Sequence, residues 1–180
     1  LNRPKIWVLR LGHRRERDKR GTTHLFLASR AFGADGVFYS GERDGNVEKS
    51  VEKVNKSWGG AFEVKYCRSW KQTVSEWKRS SGEVVHLTMY GLPLQEIVSE
   101  LRRSPKDKLI VVGGAKVPGA VYGLADWNVA VTSQPHSEVS ALGVFLHELL
   151  EGIELLKQFK RAECRIVPQP RGKKVVKTNP

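Results

Sequence analysis

The residues best placed to do chemistry lie late in the chain. Asn128-Val129-Ala130-Val131 is a β-rich run that opens into the polar segment Thr132-Ser133-Gln134-Pro135-His136-Ser137-Glu138 and then into a strongly apolar helix. A strand end, a polar loop and a helix start hold a ligand well, because side chains converge there and the first helical turn offers free N–H groups. Shortly before, Gly113-Gly114-Ala115-Lys116-Val117-Pro118-Gly119 follows the apolar run Leu109 to Val112. Glycines there let a backbone approach a ligand closely, although a plain turn uses them as readily. This is not the G-x-x-x-x-G-K-S/T phosphate loop, and no G-x-G-x-x-G stands near the first strand. ATP and dinucleotide binding therefore lose their main support.

Other reactive residues are scattered. His13, His24, His86, His136 and His147 form no H-E-x-x-H and no cluster with Cys67 and Cys164, so no metal site is expected. The two cysteines read as buried thiols of a reducing compartment rather than as a disulfide. No G-x-S-x-G nucleophile is present. The segment from Arg10 to Arg20 is different in kind: Arg10, Arg14, Arg15, Arg17, Lys19 and Arg20 put six basic residues into eleven, just ahead of Thr22, Thr23 and His24. A charged loop of that density suits phosphate contact. Lys157, Lys160, Arg161, Arg165, Arg171, Lys173, Lys174 and Lys177 either extend that surface or belong to a disordered tail.

The formal charge of +12, from 31 lysines and arginines against 19 acidic residues, points the same way, toward a polyanion such as nucleic acid. An anionic membrane surface competes for that reading, but no run of eighteen apolar residues and no signal-peptide core is seen, so a soluble, cytoplasmic protein is expected. At 180 residues and 39% hydrophobic content the chain supports one core. Residues 1–160 are expected to form one domain and 161–180 a basic C-terminal extension.

The elements that must position these residues follow from periodicity. Ile6 to Leu9 with Leu11 reads as a strand stopping at Gly12, then a charged loop, then a helix capped by Thr22 or Thr23 and ended by Gly33. Val37 to Tyr39 is a second strand, Asn46 to Trp58 a surface helix, Phe62 to Tyr66 a strand and Trp70 to Arg79 a helix. Val84 to Tyr90 makes a strand broken by Gly91 and Pro93. Leu94, Ile97, Val98 and Leu101 mark a helix, Leu109 to Val112 a buried parallel strand, Asn128 to Val131 the last strand. A final helix from about Ser137 to Phe159 carries an unbroken apolar stripe. Alternating strands and helices imply an α/β fold with a mostly parallel sheet flanked by helices. Ligands in such sheets bind beyond the strands' carboxyl ends, which selects the loops Thr88 to Pro93, Gly113 to Gly119 and Thr132 to Ser137.

Several segments together resemble a known family. Arg10-Leu11-Gly12-His13-Arg14, Arg17-Asp18-Lys19-Arg20, Ala31-Phe32-Gly33-Ala34, His86 to Gly91, Val111 to Pro118 and Val131 to Glu138 look like the archaeal tRNA 2′-O-methyltransferases acting on the cytidine at position 56, of the SPOUT class. The resemblance implies a C-terminal deep trefoil knot, a homodimer, tRNA as partner and S-adenosylmethionine as methyl donor. It also implies that Leu87, Gly113, Gly114, Ala115, Lys116, Val117, Val131, Thr132, Ser133, Gln134, Pro135, His136, Ser137 and Glu138 hold the cofactor, and that the last helix around Gly143 helps form the dimer.

In the wider ribose-methylating SPOUT group an arginine precedes the A-x-A-F-G-like segment, whereas here Leu27 takes that place. Arg20 is the preferred substitute and His24 the second choice. A permanently protonated arginine would act by stabilising a developing alkoxide rather than as a base. Arg10, Arg14, Arg15, Arg17 and Lys19 would then contact RNA. Three further readings remain open: a non-catalytic basic RNA-binding module, an α/β enzyme using another adenine-containing cofactor, and a ribose methyltransferase of another RNA.

Overall fold

Ile6, Trp7, Val8 and Leu9 are all buried, as a strand in the middle of a parallel sheet requires. In the computed structural model, which describes residues 3–114 and 116–178, they belong to β1 (Ile6–His13). After it come α1 (Arg15–Ala31), β2 (Gly36–Gly41), α2 (Gly45–Trp58), β3 (Glu63–Tyr66) and α3 (Trp70–Arg79). The second half adds β4 (Glu83–Pro93), α4 (Leu94–Arg103), β5 (Lys108–Val112), α5 (Ala120–Leu124), β6 (Trp127–Ala130) and α6 (Glu138–Leu150). These six strands pair in the order β3-β2-β1-β5-β4-β6, and every pairing is parallel.

Strand side chains alternate between the two faces. Trp7, Leu9, Leu109 and Val111 pack against Val74 of α3 and Val121 of α5. Val8, Val85, Ile110 and Val112 belong to the larger core on the other face, with Phe26 of α1, Val51 of α2, Leu94 of α4, and Leu142 and Phe145 of α6. Phe145 is fully buried, so Phe145→Ala should cost about 3–5 kcal/mol of stability in urea unfolding. A loss below about 1 kcal/mol would mean that the site collapses around the missing ring.

Four elements differ from expectation. The segment after His13 is no loop: α1 begins at Arg15, because Asp18 accepts the Arg14 backbone N–H at 3.0 Å and pairs with the Arg14 side chain, closing the first turn. Thr22 and Thr23 are therefore interior helical residues, Thr22 lying 2.8 Å from His13 Nδ1 and Thr23 donating to the Lys19 carbonyl. β4 runs through Gly91 to Pro93 instead of breaking, and Leu87 and Leu92 both register against Val129, so Thr88 to Gly91 bulge out of the ladder. α5 carries too few residues to leave a periodic signal.

The last helix stops at Leu150, not near Phe159, because Glu151 and Gly152 both adopt left-handed backbone angles. Its apolar stripe is spent inside the chain, on α1 and α4. A 3₁₀ turn (Ile153–Leu156) follows, with Leu155 and Leu156 exposed. The basic end of the chain is an antiparallel hairpin of β7 (Cys164–Ile166) and β8 (Val175–Lys177). Both cysteines are free and half-buried. No helix among the described residues is long and apolar enough to cross a membrane.

Candidate functional site

Strands β4, β5 and β6 end at the same edge of the sheet, and the three loops selected by that rule close there around a cavity of about 470 Å³. Volumes of this size suit a nucleoside-sized ligand. One wall is Leu87, the last paired residue before the β4 bulge, with Thr88, Met89 and Tyr90 of the bulge itself. The second is Gly113, Gly114 and Val117; the third is Val131, Gln134, Pro135, His136 and Glu138.

Two glycines make the walls possible. A Cβ on Gly113 would collide with Val117 Cγ2, and one on Gly91 would collide with the Asn128–Val129 backbone. The loop after β5 can therefore fold back over its own first residue, and the β4 bulge can lie flat on β6.

Of the residues expected at the cofactor, Leu87, Gly113, Gly114, Val117, Val131, Gln134, Pro135, His136 and Glu138 line the cavity. Lys116, Thr132, Ser133 and Ser137 do not. Thr132 accepts the Gln134 N–H at 3.3 Å, and Ser137 caps α6 by accepting the Ser140 N–H at 3.2 Å, so these two shape the wall instead. Ala115 lies outside the described residues.

Arg10 requires a correction. It was expected on an RNA-facing loop, but β1 continues past it and the side chain is 4% exposed. Its guanidinium donates to the Gly113 carbonyl and stands 3.1 Å from Glu138 Oε1. A buried cation thus ties the glycine loop to the start of α6, behind the cavity rather than in front of RNA. Arg15, Arg17, Lys19, Arg20 and His24 are exposed on α1, whose first turns leave the same edge of the sheet. Arg14 is partly committed to Asp18, and its guanidinium holds that carboxyl below the usual range.

Thr88, Met89 and Tyr90, from the first of the selected loops, line the cavity as well, and so do His86, Val112, Tyr122 and Ala141, which had not been singled out for a ligand. For Tyr122 no signal existed, since α5 was invisible. His86 was legible only as part of a strand, yet its setting is specific. Its Nδ1 lies 2.9 Å from Asn128 Oδ1, and Asn128 Nδ2 donates to the Tyr122 carbonyl at 3.0 Å. The amide orientation is thereby set, so Nδ1 carries the imidazole proton and Nε2 is a bare acceptor. That Nε2 is buried with no partner among the described residues, which marks it as a group that a donor on a ligand would satisfy.

Burial pushes the His86 pKa down, with the Asn128 hydrogen bond opposing it more weakly. The folded state therefore resists a proton that the unfolded chain accepts at about pH 6.5. The sign follows: the stability difference is absent above that value and becomes a loss as pH falls below it. Urea unfolding from pH 7.5 to 5 should show declining stability, and His86→Gln should flatten that decline. An unaltered slope in the variant would assign the titration to another group.

Known proteins match this chain over most of its length. A profile of the family described as tRNA ribose 2′-O-methyltransferase, aTrm56, matches residues 58–176. A tRNA (cytidine(56)-2′-O)-methyltransferase of Methanothermobacter thermautotrophicus is 56% identical over 168 residues, 93% of this chain and 94% of its own. One of Thermococcus kodakarensis is 54% identical over 177 residues, 97% and 98% of the two chains. Among solved structures, the SpoU methyltransferase AviRb of Streptomyces viridochromogenes in complex with AdoMet superposes with a TM-score of 0.60 at 15% identity, covering 84% of this chain and 58% of that one. An RNA 2′-O ribose methyltransferase gives 0.62 at 19% identity, over 85% and 59%. This chain spans under two thirds of those two structures, and the likeness extends to the fold, a parallel α/β sheet with helices on both faces.

Proposed function

Because this chain belongs to the aTrm56 family of tRNA ribose 2′-O-methyltransferases, we propose that the cavity at the carboxyl ends of β4, β5 and β6 is where it methylates the 2′-hydroxyl of cytidine 56 in tRNA. S-adenosylmethionine is the methyl donor, and it supplies an electrophilic methyl group on a sulfonium that leaves readily. The observation that carries the assignment to this cavity is the convergence of Leu87 and the β4 bulge after it, the Gly113–Val117 loop and the Val131–Glu138 loop on one space.

The residues fit such a cofactor. Leu87, Val112, Val117, Val131 and Ala141 form apolar walls of the kind that suit an adenine, and the bare His86 Nε2 awaits a donor. Gly113 and Gly114 can offer backbone groups at close range. Arg10 holds both flanking segments in register through Gly113 and Glu138. Much of the rate would come from keeping the ribose oxygen in line with the methyl group.

The 2′-hydroxyl proton would pass to solvent water as the oxygen takes the methyl group, and a cation is needed to stabilise the developing alkoxide. Arg20 is that group in this reading, with His24 one turn further along α1. Neither lines the cavity of its own chain; both are exposed on α1, Arg20 in its second turn near the cavity edge and His24 further along the helix. A homodimer in which α1 of a second copy covers the cavity would bring them in. The deep trefoil knot belongs to the same reading, with the chain threaded through the loops around β6. Residues 1–160 then make the catalytic domain and 161–180 its extension, while Arg14, Arg15, Arg17 and Lys19 meet the RNA backbone.

The test is methylation of an unmodified tRNA transcript, with mapping of the modified ribose. Donor-dependent modification at C56, lost when C56 is replaced by its 2′-deoxy form, is the expected outcome. Modification at another nucleotide, or none with donor bound, would overturn it. Light scattering should give twice the monomer mass.

A further inference from the structure

The basic end of the chain is not a continuation of the basic face of α1. Helix α2 starts beyond the carboxyl end of β2 and runs back to the edge where the strands begin, and the chain after α6 is fastened at that far end. The Gly60 N–H donates to the Lys160 carbonyl at 2.9 Å, and Arg30, in the last turn of α1, donates to the Gly59 carbonyl and lies 4.3 Å over the Phe159 ring. The Thr178 N–H closes on the Glu163 carbonyl at 2.9 Å. The hairpin root is thus held to α1 and α2 at the edge opposite the methyl-transfer cavity. The sheet between them is five residues long at β5, about 17 Å.

Lys157, Lys160, Arg161, Arg165, Arg171, Lys173, Lys174 and Lys177 are all exposed there. None pairs with a carboxylate among the described residues. Between the hairpin and α2 runs a groove of about 710 Å³ whose lining includes Trp58 and Phe159 as well as Arg161 and Arg165. Uncompensated cations over an aromatic floor are the chemistry that grips an RNA strand, phosphates outside and a base face within.

We infer that the segment Lys157–Lys177 is a second RNA-binding surface, set apart from the methyl-transfer cavity of its own chain, that grips the backbone of the substrate away from the reacting nucleotide. This rests on the reading of the chain as an RNA methyltransferase. It makes substrate size matter: an RNA long enough to reach both edges gains affinity that a short stem-loop carrying only the acceptor region does not.

The combined variant Arg165→Ala/Arg171→Ala/Lys173→Ala/Lys174→Ala tests it, since these side chains are exposed and thermal unfolding should be unchanged. For the full-length transcript, KM should rise about tenfold or more near physiological salt, and the slope of log affinity against log salt should fall by about one unit per phosphate contact removed. The rate at saturating RNA should hold. Exchanging Arg for Lys and Lys for Arg at the four positions should restore the salt slope. The proposal is overturned if KM and slope stay at wild-type values. It is equally overturned if the short stem-loop suffers the same loss, which would place the hairpin at a cavity, or if only the sedimentation coefficient changes, which would make it a contact between copies. Failure of the wild-type protein to methylate any transcript would instead remove the functional reading beneath it.

Discussion

Arg20→Ala is expected to slow methyl transfer about 100- to 1,000-fold while S-adenosylmethionine affinity stays near wild type. The size follows from what a positioned cation does for an alkoxide in a site shielded from water, and the selectivity follows from place. Arg20 stands exposed on the second turn of α1 and makes no salt bridge among the described residues, and the cavity walls come from other elements. Its charge is uncommitted, in contrast to Arg14, which Asp18 holds, and Arg10, which Glu138 and the Gly113 carbonyl hold. Arg20→Lys should recover part of the rate, because a point charge replaces the forked guanidinium. Calorimetric titration with the cofactor and single-turnover kinetics on the same preparations separate binding from chemistry. Turnover of Arg20→Ala at the wild-type rate would move the alkoxide-stabilising role to another residue, His24 first.

Gly91→Ala is expected to abolish cofactor binding, for a steric reason independent of charge. Thr88 to Gly91 leave the ladder between two residues that both register on Val129, and the return is possible only because Gly91 lies against the Asn128–Val129 backbone. A methyl group cannot be accommodated by rotating a side chain, since the atoms it meets are backbone. Either the bulge lifts, moving Thr88 to Tyr90 off the cavity, or β4 and β6 part. A fall in cofactor affinity of at least about 100-fold, equivalent to about 2.7 kcal/mol, is the expected readout. Gly45→Ala, where the added carbon meets nothing within 4 Å, serves as the control and should bind normally. Wild-type affinity in Gly91→Ala would show that the bulge does not form the wall.

Much of the fold was legible because its signals are local. Trp70 to Arg79 shows helical character and is α3; Leu109 to Val112 is short and β-rich and lies within β5. Three loops were identified from strand ends alone, and they do meet at one cavity. What escaped has physical causes of equal clarity. The start of α1 was missed because its first turn is closed by Asp18 rather than by a Ser or Thr cap. The end of α6 was overrun because an apolar stripe continues past Glu151 and Gly152, where the backbone turns left-handed. Tyr122 and the bare nitrogen of His86 could not be found, since α5 is five residues long and the His86 partner lies 42 positions away.

By itself, then, the sequence determined the order and kind of most elements, the excess of positive charge and the loops available for a ligand. These depend on side-chain period, turn chemistry and composition, all of which act within a few residues. Only the tertiary structure decided which basic residues are buried and which are exposed: Arg10 turns inward to bind the glycine loop to α6, the first turns of α1 carry exposed cations near the cavity edge, and the hairpin carries another exposed set at the far edge. Burial and pairing are properties of segments that meet after folding, so a charge count along the chain cannot tell a buried clamp from an exposed basic surface.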